Sequence, residues 1–182
     1  MNESMNWWRH PLKTCTPEEL QQIISSQSGG QYVLPSDPYN KVFDGIYLGD
    51  ESVAQNVSLL KSLSISHVLN AAFGTDLSLN MVNVCKELYL NSGIQFLGIE
   101  AIDMSSFNLY QHFPKSSLFI ESAVAEGGNV LVHCREGISR SATLVVSYLM
   151  ISRGMTAQTA IRTVRQYREI RPNDGFLRQL SI

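Results

Sequence analysis

Residues 130–150 constrain the fold of this chain more than any other segment. A short apolar run, Val130–Val132, is followed by the polar stretch His133–Ser141 and then by mostly apolar residues up to Met150. A short apolar run before a loop is typical of a buried strand, and a longer one after it is typical of a buried helix. The sequence therefore predicts a strand, a tight loop and a helix in direct succession.

The predicted loop combines a nucleophile with groups that bind an anion. The N–H groups at a helix N-terminus carry partial positive charge, which attracts anions and favours a thiolate at Cys134. Arg140, six residues later, adds a planar guanidinium that fits two phosphate oxygens at once. We interpret Cys134 as a nucleophile towards a phosphoryl group and Arg140 as its clamp. The alternatives are a structural cysteine and a solvated arginine. A cysteine on a glycine-containing loop at a helix start, six residues before an arginine, is rarely only structural. An arginine at a helix N-terminus is unfavourable without a bound anion.

The string HCREGISRSATLVVSYLM resembles the signature of protein tyrosine phosphatases, a cysteine followed by five residues, an arginine and a serine. It is similar to the small dual-specificity phosphatases, in the atypical, VHR-like branch that lacks a kinase-docking domain. The likeness runs from about Leu34 to Leu180. It includes LPSDPYNKV, IYLGDESVAQN, ISHVLNAA, GIEAIDMSSFNL and REIRPNDGFLRQL, in that order. It implies an N-terminal extension with a short helix over 1–33 and a catalytic domain over 34–182.

The resemblance also implies roles for residues in and around the loop. Ser141, which otherwise only caps the helix, would stabilise the departing thiolate. His133 would form hydrogen bonds around the loop and help to hold the thiolate, and the buried amide of Asn70 would tie loops together. The residues expected to contact the substrate are Arg135, Glu136, Gly137, Ile138, Ser139 and Arg168.

Several of these positions also have simpler interpretations. Gly137 suits a turn as well as a close approach of the backbone to an anion. Arg135 and Arg168 are either plain surface charges or contacts to a second phosphate or to acidic residues beside the main site. Ile138 departs from the aromatic residue of a VHR-like relative, which affects the shape of the pocket and not catalysis.

The proton donor to the leaving oxygen is harder to derive from the sequence. A carboxylic acid on a facing loop would supply this proton and then act as a base towards water. Glu100, Asp103 and Asp174 are candidates, and the residues alone leave Glu100 and Asp103 nearly equal. The resemblance of GIEAIDMSSFNL to the family favours Asp103.

The rest of the chain alternates between predicted helices and strands. This pattern indicates an α/β fold with a central, largely parallel sheet flanked by helices, as in the protein tyrosine phosphatases. In such sheets ligands bind beyond the carboxyl ends of the strands, where both the Cys134 loop and the loop over 100–107 are expected. The first helix, capped at Thr16-Pro17-Glu18-Glu19, should pack on the core, and the resemblance adds that it borders the substrate cleft. Further helices are expected over 52–62, 79–90, 107–125 and 157–167 and from 176, and further strands in 41–48, 65–69 and 95–99.

Composition excludes several classes of protein. A chain of 182 residues, 44% of them hydrophobic, suits one domain, and its net charge of −2 gives no basic footprint for nucleic acid or anionic membranes. No signal peptide, membrane-spanning run or myristoylation signal is recognisable. Three cysteines form neither a disulfide framework nor a metal pattern, so we expect a reducing cytoplasmic or nuclear location and no cofactor. The chain ends soon after the start of its last predicted helix, as a trimmed chain would.

The sequence therefore predicts a metal-independent dual-specificity phosphoprotein phosphatase that acts through a cysteinyl phosphate. Its substrates would be phosphorylated proteins, and the resemblance implies MAP-kinase-like ones. One alternative is a phosphate-binding module without activity, which would lack the cysteine or the acid. Another is a phosphoinositide or RNA phosphatase, against which Glu136 in the loop argues mildly.

Overall fold

The computed structural model describes residues 15–181, so expectations for the first fourteen residues lie outside it. Within this range a five-stranded sheet has the order β1-β2-β5-β3-β4. Only β1 is antiparallel to its neighbour, and the other pairs are parallel, which confirms the predicted fold class. The strands are β1 Tyr39–Phe43, β2 Ile46–Gly49, β3 Ile65–Asn70, β4 Gln95–Gly98 and β5 Asn129–His133.

The helices surround this sheet. α4 and α5 pack on the sheet, α6 and α7 pack against α5, and α1 packs against α6 and α7. α5 is enclosed by its neighbours, since its residues from Arg140 to Leu149 are buried, and this explains why most of its side chains are apolar. The helices are α1 Pro17–Ser26, α2 Glu51–Gln55, α3 Val57–Ser62, α4 Phe113–Ala125, α5 Arg140–Arg153, α6 Ala157–Arg165 and α7 Asp174–Leu180.

The register of the parallel strands brings their carboxyl ends to one edge of the sheet. His133 at the end of β5 lies opposite Gly49 of β2 and Asn70 of β3, and Asn70 lies opposite Gly98 of β4. The chain segments that follow these strands therefore meet around the loop between β5 and α5.

The start of the first helix is confirmed. The Glu19 N–H donates to Thr16 Oγ1, and the Thr16 N–H donates to Glu19 Oε2, both at 3.1 Å. Leu20 and Ile24 are buried, and Arg165 Nε of α6 donates to the Ile24 carbonyl at 2.9 Å. The helix therefore packs on the core as expected, while a domain boundary between residues 33 and 34 stays a prediction.

One of the predicted helices is interrupted, and another is wrong. The helix over 52–62 is split into α2 and α3 at Asn56, whose side chain accepts a hydrogen bond from the Leu59 N–H. Most of 79–90 is irregular, with 3₁₀ turns at Leu77–Leu79 and Lys86–Tyr89. The intervening chain is held away from a helix because Asn70 Nδ2 donates to the carbonyls of Val82 and Val84.

Two other helices begin elsewhere than expected. The helix predicted from residue 107 begins at Phe113, because Pro114 fits the first turn of a helix and not its interior. The last helix begins at Asp174, two residues earlier than expected, because the side chain of Asn173 caps it. No helix within residues 15–181 is long and apolar enough to cross a membrane.

Candidate active site

The loop of residues 134–139 joins β5 to α5, and hydrogen bonds hold its carbonyl oxygens. The carbonyls of Glu136 and Gly137 accept from Arg168 at 3.1 and 2.8 Å, and that of Arg135 accepts from the Glu51 N–H at 3.2 Å. The remaining carbonyls from His133 to Ser139 are bound by the Ala71 N–H, His133 Nδ1, the Arg171 N–H and the Thr143 N–H. The loop is therefore fixed from outside, by donors that come from several distant segments.

This arrangement leaves the N–H groups of the loop available to a ligand. In the part of the chain that the structure describes, no N–H group of residues 135–139 donates a hydrogen bond. In a trans peptide the N–H points away from the carbonyl. Because the carbonyls of the loop point outwards to their donors, its N–H groups point to the inside of the loop. The loop borders a pocket of about 260 Å³ that Cys134 and Arg140 also line. Such a nest of donors favours an anion.

Cys134 lies in this pocket with only 2% of its surface exposed. Its Sγ is 3.1 Å from the hydroxyl oxygen of Ser141, which is completely buried. Ser141 is therefore not the N-cap, contrary to the simpler interpretation: the N-cap position is Ser139, and Ser141 is the second residue of α5. The Ser141 hydroxyl is placed to donate a hydrogen bond to a thiolate.

Arg140 is a buried cation that the protein holds through neutral groups. It is 2% exposed, and its Nη1 and Nη2 donate to the carbonyls of Ala101 and Asn80 at 3.1 and 2.9 Å. Its Nε is buried without a hydrogen-bond partner among the described residues, and no described carboxylate pairs with its charge. Since a buried charge normally has a counter-ion, this arginine points to an anion in the pocket.

Arg168 is a buried residue, so its interpretation as a plain surface charge is wrong. It is 2% exposed, and its Nε and Nη2 bind the loop carbonyls of Gly137 and Glu136. Its Nη1 binds the Asp37 carbonyl and Asn40 Oδ1, at 2.9 and 2.8 Å. Arg168 therefore supports the loop, and it also lines a pocket beside it together with Arg135 and Glu136. Its expected contact with the substrate stays a prediction.

Packing of the loop on the sheet requires a glycine at position 137. The expected approach of its backbone to an anion stays a prediction. Its φ is +67°, and a Cβ there would overlap the carbonyl of Gly49 at the end of β2. The added Cβ would also lie only 3.0 Å from Arg168 Nη2. Glycine therefore lets the loop lie directly on β2.

Replacing Gly137 with alanine should destabilise the protein and weaken phosphate binding. A positive φ costs an alanine about 1–2 kcal/mol, and the overlap with Gly49 should add roughly 1–3 kcal/mol. Gly127→Ala is the matched control, since Gly127 has a φ of +74° and open space at the Cβ position. Urea unfolding of both variants measures the difference. Equal losses of unfolding free energy would show that the overlap is relieved at no cost.

The supporting residues His133 and Asn70 are both completely buried. Burial lowers the pKa of His133 to about 4, so its ring is neutral at pH 7, and its Nδ1 is 3.2 Å from the Cys134 carbonyl. Asn70 binds the carbonyls of Val82 and Val84 and accepts from the Ala72 N–H. Both residues therefore hold backbone around the pocket, and neither is placed to exchange protons with a ligand.

Asp103 is the one of the three candidate acids that lines the pocket with Cys134 and Arg140. Its Oδ1 accepts a hydrogen bond from Ser139 Oγ at 2.8 Å. Asp174 borders a neighbouring groove instead, and Glu100 is exposed and lines neither this pocket nor the two pockets that share lining residues with it. The geometry thus separates two carboxylates that the residues alone left nearly equal.

Arg135 and Glu136 lie at the outer rim of the pocket. Arg135 forms a two-bond ion pair with Glu51, with N–O distances of 3.1 and 3.2 Å, and keeps 41% of its side chain exposed. Glu136 is exposed, and only its carbonyl is engaged. Glu51 has no motif that would identify it from the sequence, because its partner lies 84 residues away.

A larger groove of about 900 Å³ adjoins the pocket and shares Asp103, Ile138 and Ser139 with it. α1 forms one wall, so this helix both packs on the core and borders the cleft. Tyr32 and Arg171 also line the groove, and the Arg171 guanidinium lies 4.5 Å from the centre of the Tyr32 ring. Sequence reasoning missed both residues. Within residues 15–181, no group of three or more His, Cys, Asp or Glu side chains could hold a metal ion.

The mostly parallel sheet, with this loop at its carboxyl edge, defines a protein tyrosine phosphatase-like α/β fold. Human DUSP28 matches the structure with a TM-score of 0.69 and 26% identity, over 81% of this chain and 94% of that chain. The human tyrosine phosphatase-like serine/threonine/tyrosine-interacting protein matches with a TM-score of 0.66 and 29% identity, over 78% of this chain and 92% of that chain.

Sequence comparison identifies the family. The family described as "Dual specificity phosphatase, catalytic domain" matches residues 46–182, and this chain belongs to it. Dual specificity protein phosphatase 26 of Mus musculus is 45% identical over 142 residues, which cover 78% of this chain and 64% of that protein. The chain thus matches less than two thirds of the length of this curated relative.

Proposed function

We propose that this chain is a dual-specificity phosphoprotein phosphatase that uses Cys134 as its nucleophile. The observation that carries the proposal is the pocket itself: a buried thiol, a buried arginine without a counter-ion, and a loop whose N–H groups are unused among the described residues. A phosphate monoester dianion matches all three features. The substrate oxygens would occupy the loop, with the phosphorus facing Cys134 Sγ.

The first chemical step forms the S–P bond and breaks the bond from phosphorus to the leaving oxygen. The Cys134 thiolate supplies the electron pair, while the loop N–H groups and Arg140 stabilise the charge on the other three oxygens. Asp103 gives its proton to the leaving oxygen, which departs as a neutral hydroxyl group. The product of this step is a cysteinyl phosphate.

The second step hydrolyses the cysteinyl phosphate. Asp103, now a carboxylate, takes a proton from water, whose oxygen attacks phosphorus as the S–P bond breaks. The thiolate leaves with the electron pair, and the Ser141 hydroxyl, 3.1 Å from Sγ, stabilises it by a hydrogen bond. Inorganic phosphate is released, and the thiolate is ready for another cycle.

We extend the proposal to substrate class and location. Family membership supports phosphorylated proteins as substrates, and the sequence resemblance supports MAP kinases among them. A catalytic thiol works in a reducing compartment, so we place the protein in the cytoplasm or nucleus.

A phosphate-binding module without turnover is the second candidate. One of the two structural relatives above is named a phosphatase-like interacting protein, so the fold is compatible with either function. Cys134 and Asp103 line the same pocket in this chain, and a binding module would need neither of them. This observation favours the enzyme.

Matched phosphopeptides that differ only in the phosphorylated residue test the proposal. We expect turnover of phosphotyrosine, phosphoserine and phosphothreonine, because no long insertion lies between Leu34 and Cys134 to deepen the pocket. Phosphotyrosine should be fastest, since phenolate is a better leaving group than an alkoxide. The measurement is kcat/KM for each peptide. Binding without turnover would support the module, and strict phosphotyrosine selectivity would refute dual specificity.

A further inference from the structure

The loop that carries Asp103 rests on α7 at three places. A Cβ at Gly175, in the first turn of α7, would overlap the carbonyl of Ser105. Further along α7, Gln179 Nε2 donates to the Phe107 carbonyl at 2.9 Å, and Gln179 Oε1 accepts from the Tyr110 N–H at 2.7 Å. The third contact is made by Asn173, the residue that caps this helix. The proposed acid is therefore held by an element that lies 70 residues further along the chain.

The side chain and the backbone N–H of Asn173 form three hydrogen bonds that link α7 to the site. Its Oδ1 caps α7 by accepting from the Phe176 N–H at 2.9 Å, which fixes the orientation of the amide. Its Nδ2 then points at Asp103 Oδ1, 2.8 Å away. Its backbone N–H donates at 3.2 Å to Ser139 Oγ, which itself donates to Asp103 Oδ1 at 2.8 Å.

These bonds treat the two oxygens of Asp103 differently. Oδ1 accepts from both Asn173 and Ser139, whereas Oδ2 has no hydrogen-bond partner among the described residues. An oxygen that already accepts two hydrogen bonds is a poor place for a proton, so the acidic proton belongs on Oδ2. The orientation of this carboxyl group is thus set by a helix cap.

We propose that Asn173 is a positioning residue, which fixes the Asp103 carboxyl group with Oδ2 free for proton transfer. The proposal rests on the assignment of Asp103 as the general acid. Apart from Cys134, the charged side chains that line the two adjoining pockets around Asp103 are Glu18, Arg135, Glu136, Arg140, Arg171 and Asp174. The side chain of Asn173 is uncharged. It binds Asp103, and its orientation is fixed because it also caps α7.

Two substitutions separate positioning from helix capping. Serine and aspartate are as good as asparagine at an N-cap, so Asn173→Ser and Asn173→Asp both keep α7 capped. Both lose the amide donor to Asp103, and Asn173→Asp adds a negative charge beside it. Thr156→Ala removes the cap of α6, away from the pocket, and serves as the control for stability.

Asn173→Ser should lower kcat about tenfold for an alkyl phosphate and little for an aryl phosphate with a good leaving group, because only the former needs a well-placed acid. In Asn173→Asp the basic limb of the pH–rate profile should move to higher pH, since a neighbouring carboxylate favours the protonated acid. Thr156→Ala should change neither the dependence of kcat on the leaving group nor the pH–rate profile. In the background of Asp103→Asn, Asn173→Ser should cause no further loss.

The outcomes distinguish this proposal from the assignment on which it rests. If Asp103→Asn lowers kcat, but Asn173→Ser gives equal losses for both leaving groups and Asn173→Asp leaves the pH–rate profile unmoved, Asn173 has only a structural role. If Asp103→Asn itself leaves kcat unchanged, the acid is misassigned and the proposed mechanism fails first.

Discussion

Replacing Cys134 with serine should abolish turnover while phosphate and vanadate still bind. The hydroxyl of serine is a far weaker nucleophile than a thiolate, so we expect kcat to fall by at least about 10⁴-fold. Binding should survive, because the donors of the pocket are backbone N–H groups and Arg140. The measurements are single-turnover kinetics with an aryl phosphate and calorimetry with vanadate.

Cys85→Ser is the matched control for this substitution. Cys85 is an unpaired, partly buried cysteine that does not line the pocket, and its replacement should leave kcat within about twofold. Turnover of Cys134→Ser near that of the parent protein would overturn the assignment of the nucleophile. If Cys134→Ser lost both vanadate binding and turnover, the sulfur would instead provide the binding energy.

The strand, loop and helix around Cys134 were predictable because each depends on neighbours in sequence. The apolar periods define β5 and α5, and the positions of Cys134 and Arg140 follow from a loop of fixed length. The groups that hold the loop were not predictable in the same way. Arg168 and Glu51 lie 31 and 84 residues from their loop partners, and neither has a local pattern that distinguishes it from a solvated charge.

The segment 79–90 illustrates why local periodicity fails. Its apolar residues have a spacing that a helix would also have, and the irregular chain is favoured by hydrogen bonds from Asn70, which lies 12 and 14 residues before its partners. A buried amide must satisfy its donors, and leaving them unpaired would cost about 1–3 kcal/mol. That energy exceeds the helix preference of a few residues.

The choice between Glu100 and Asp103 also required three dimensions. Both follow the same strand and carry the same chemical group, so composition and spacing weigh them equally. What differs is the path of the chain after β4, which α7 fixes through Gly175 and Gln179. The family resemblance favoured Asp103, and the pocket supplies an independent physical reason.

Replacing Asp103 with asparagine should lower kcat by about 10²–10³-fold for substrates with poor leaving groups, because general acid catalysis typically contributes this much. Asparagine keeps the size of the side chain, and its carbonyl can still accept from Ser139, so folding should be preserved. The basic limb of the pH–rate profile should flatten, since the rate no longer falls as the acid deprotonates. Rates measured across the neutral and basic range of pH, for a series of leaving groups, test both effects.

The dependence on leaving group separates a lost acid from a damaged pocket. A phenolate stabilised by electron-withdrawing groups departs without a proton, so the deficit of Asp103→Asn should shrink to less than about tenfold for such substrates. A damaged pocket would slow all substrates equally. Glu100→Gln is the matched control, because Glu100 is exposed and lines neither the pocket of Cys134 nor the two pockets that share lining residues with it. If Glu100→Gln shows the leaving-group dependence and Asp103→Asn does not, the proton comes from Glu100, and the loop must move to bring that carboxylate to the phosphate.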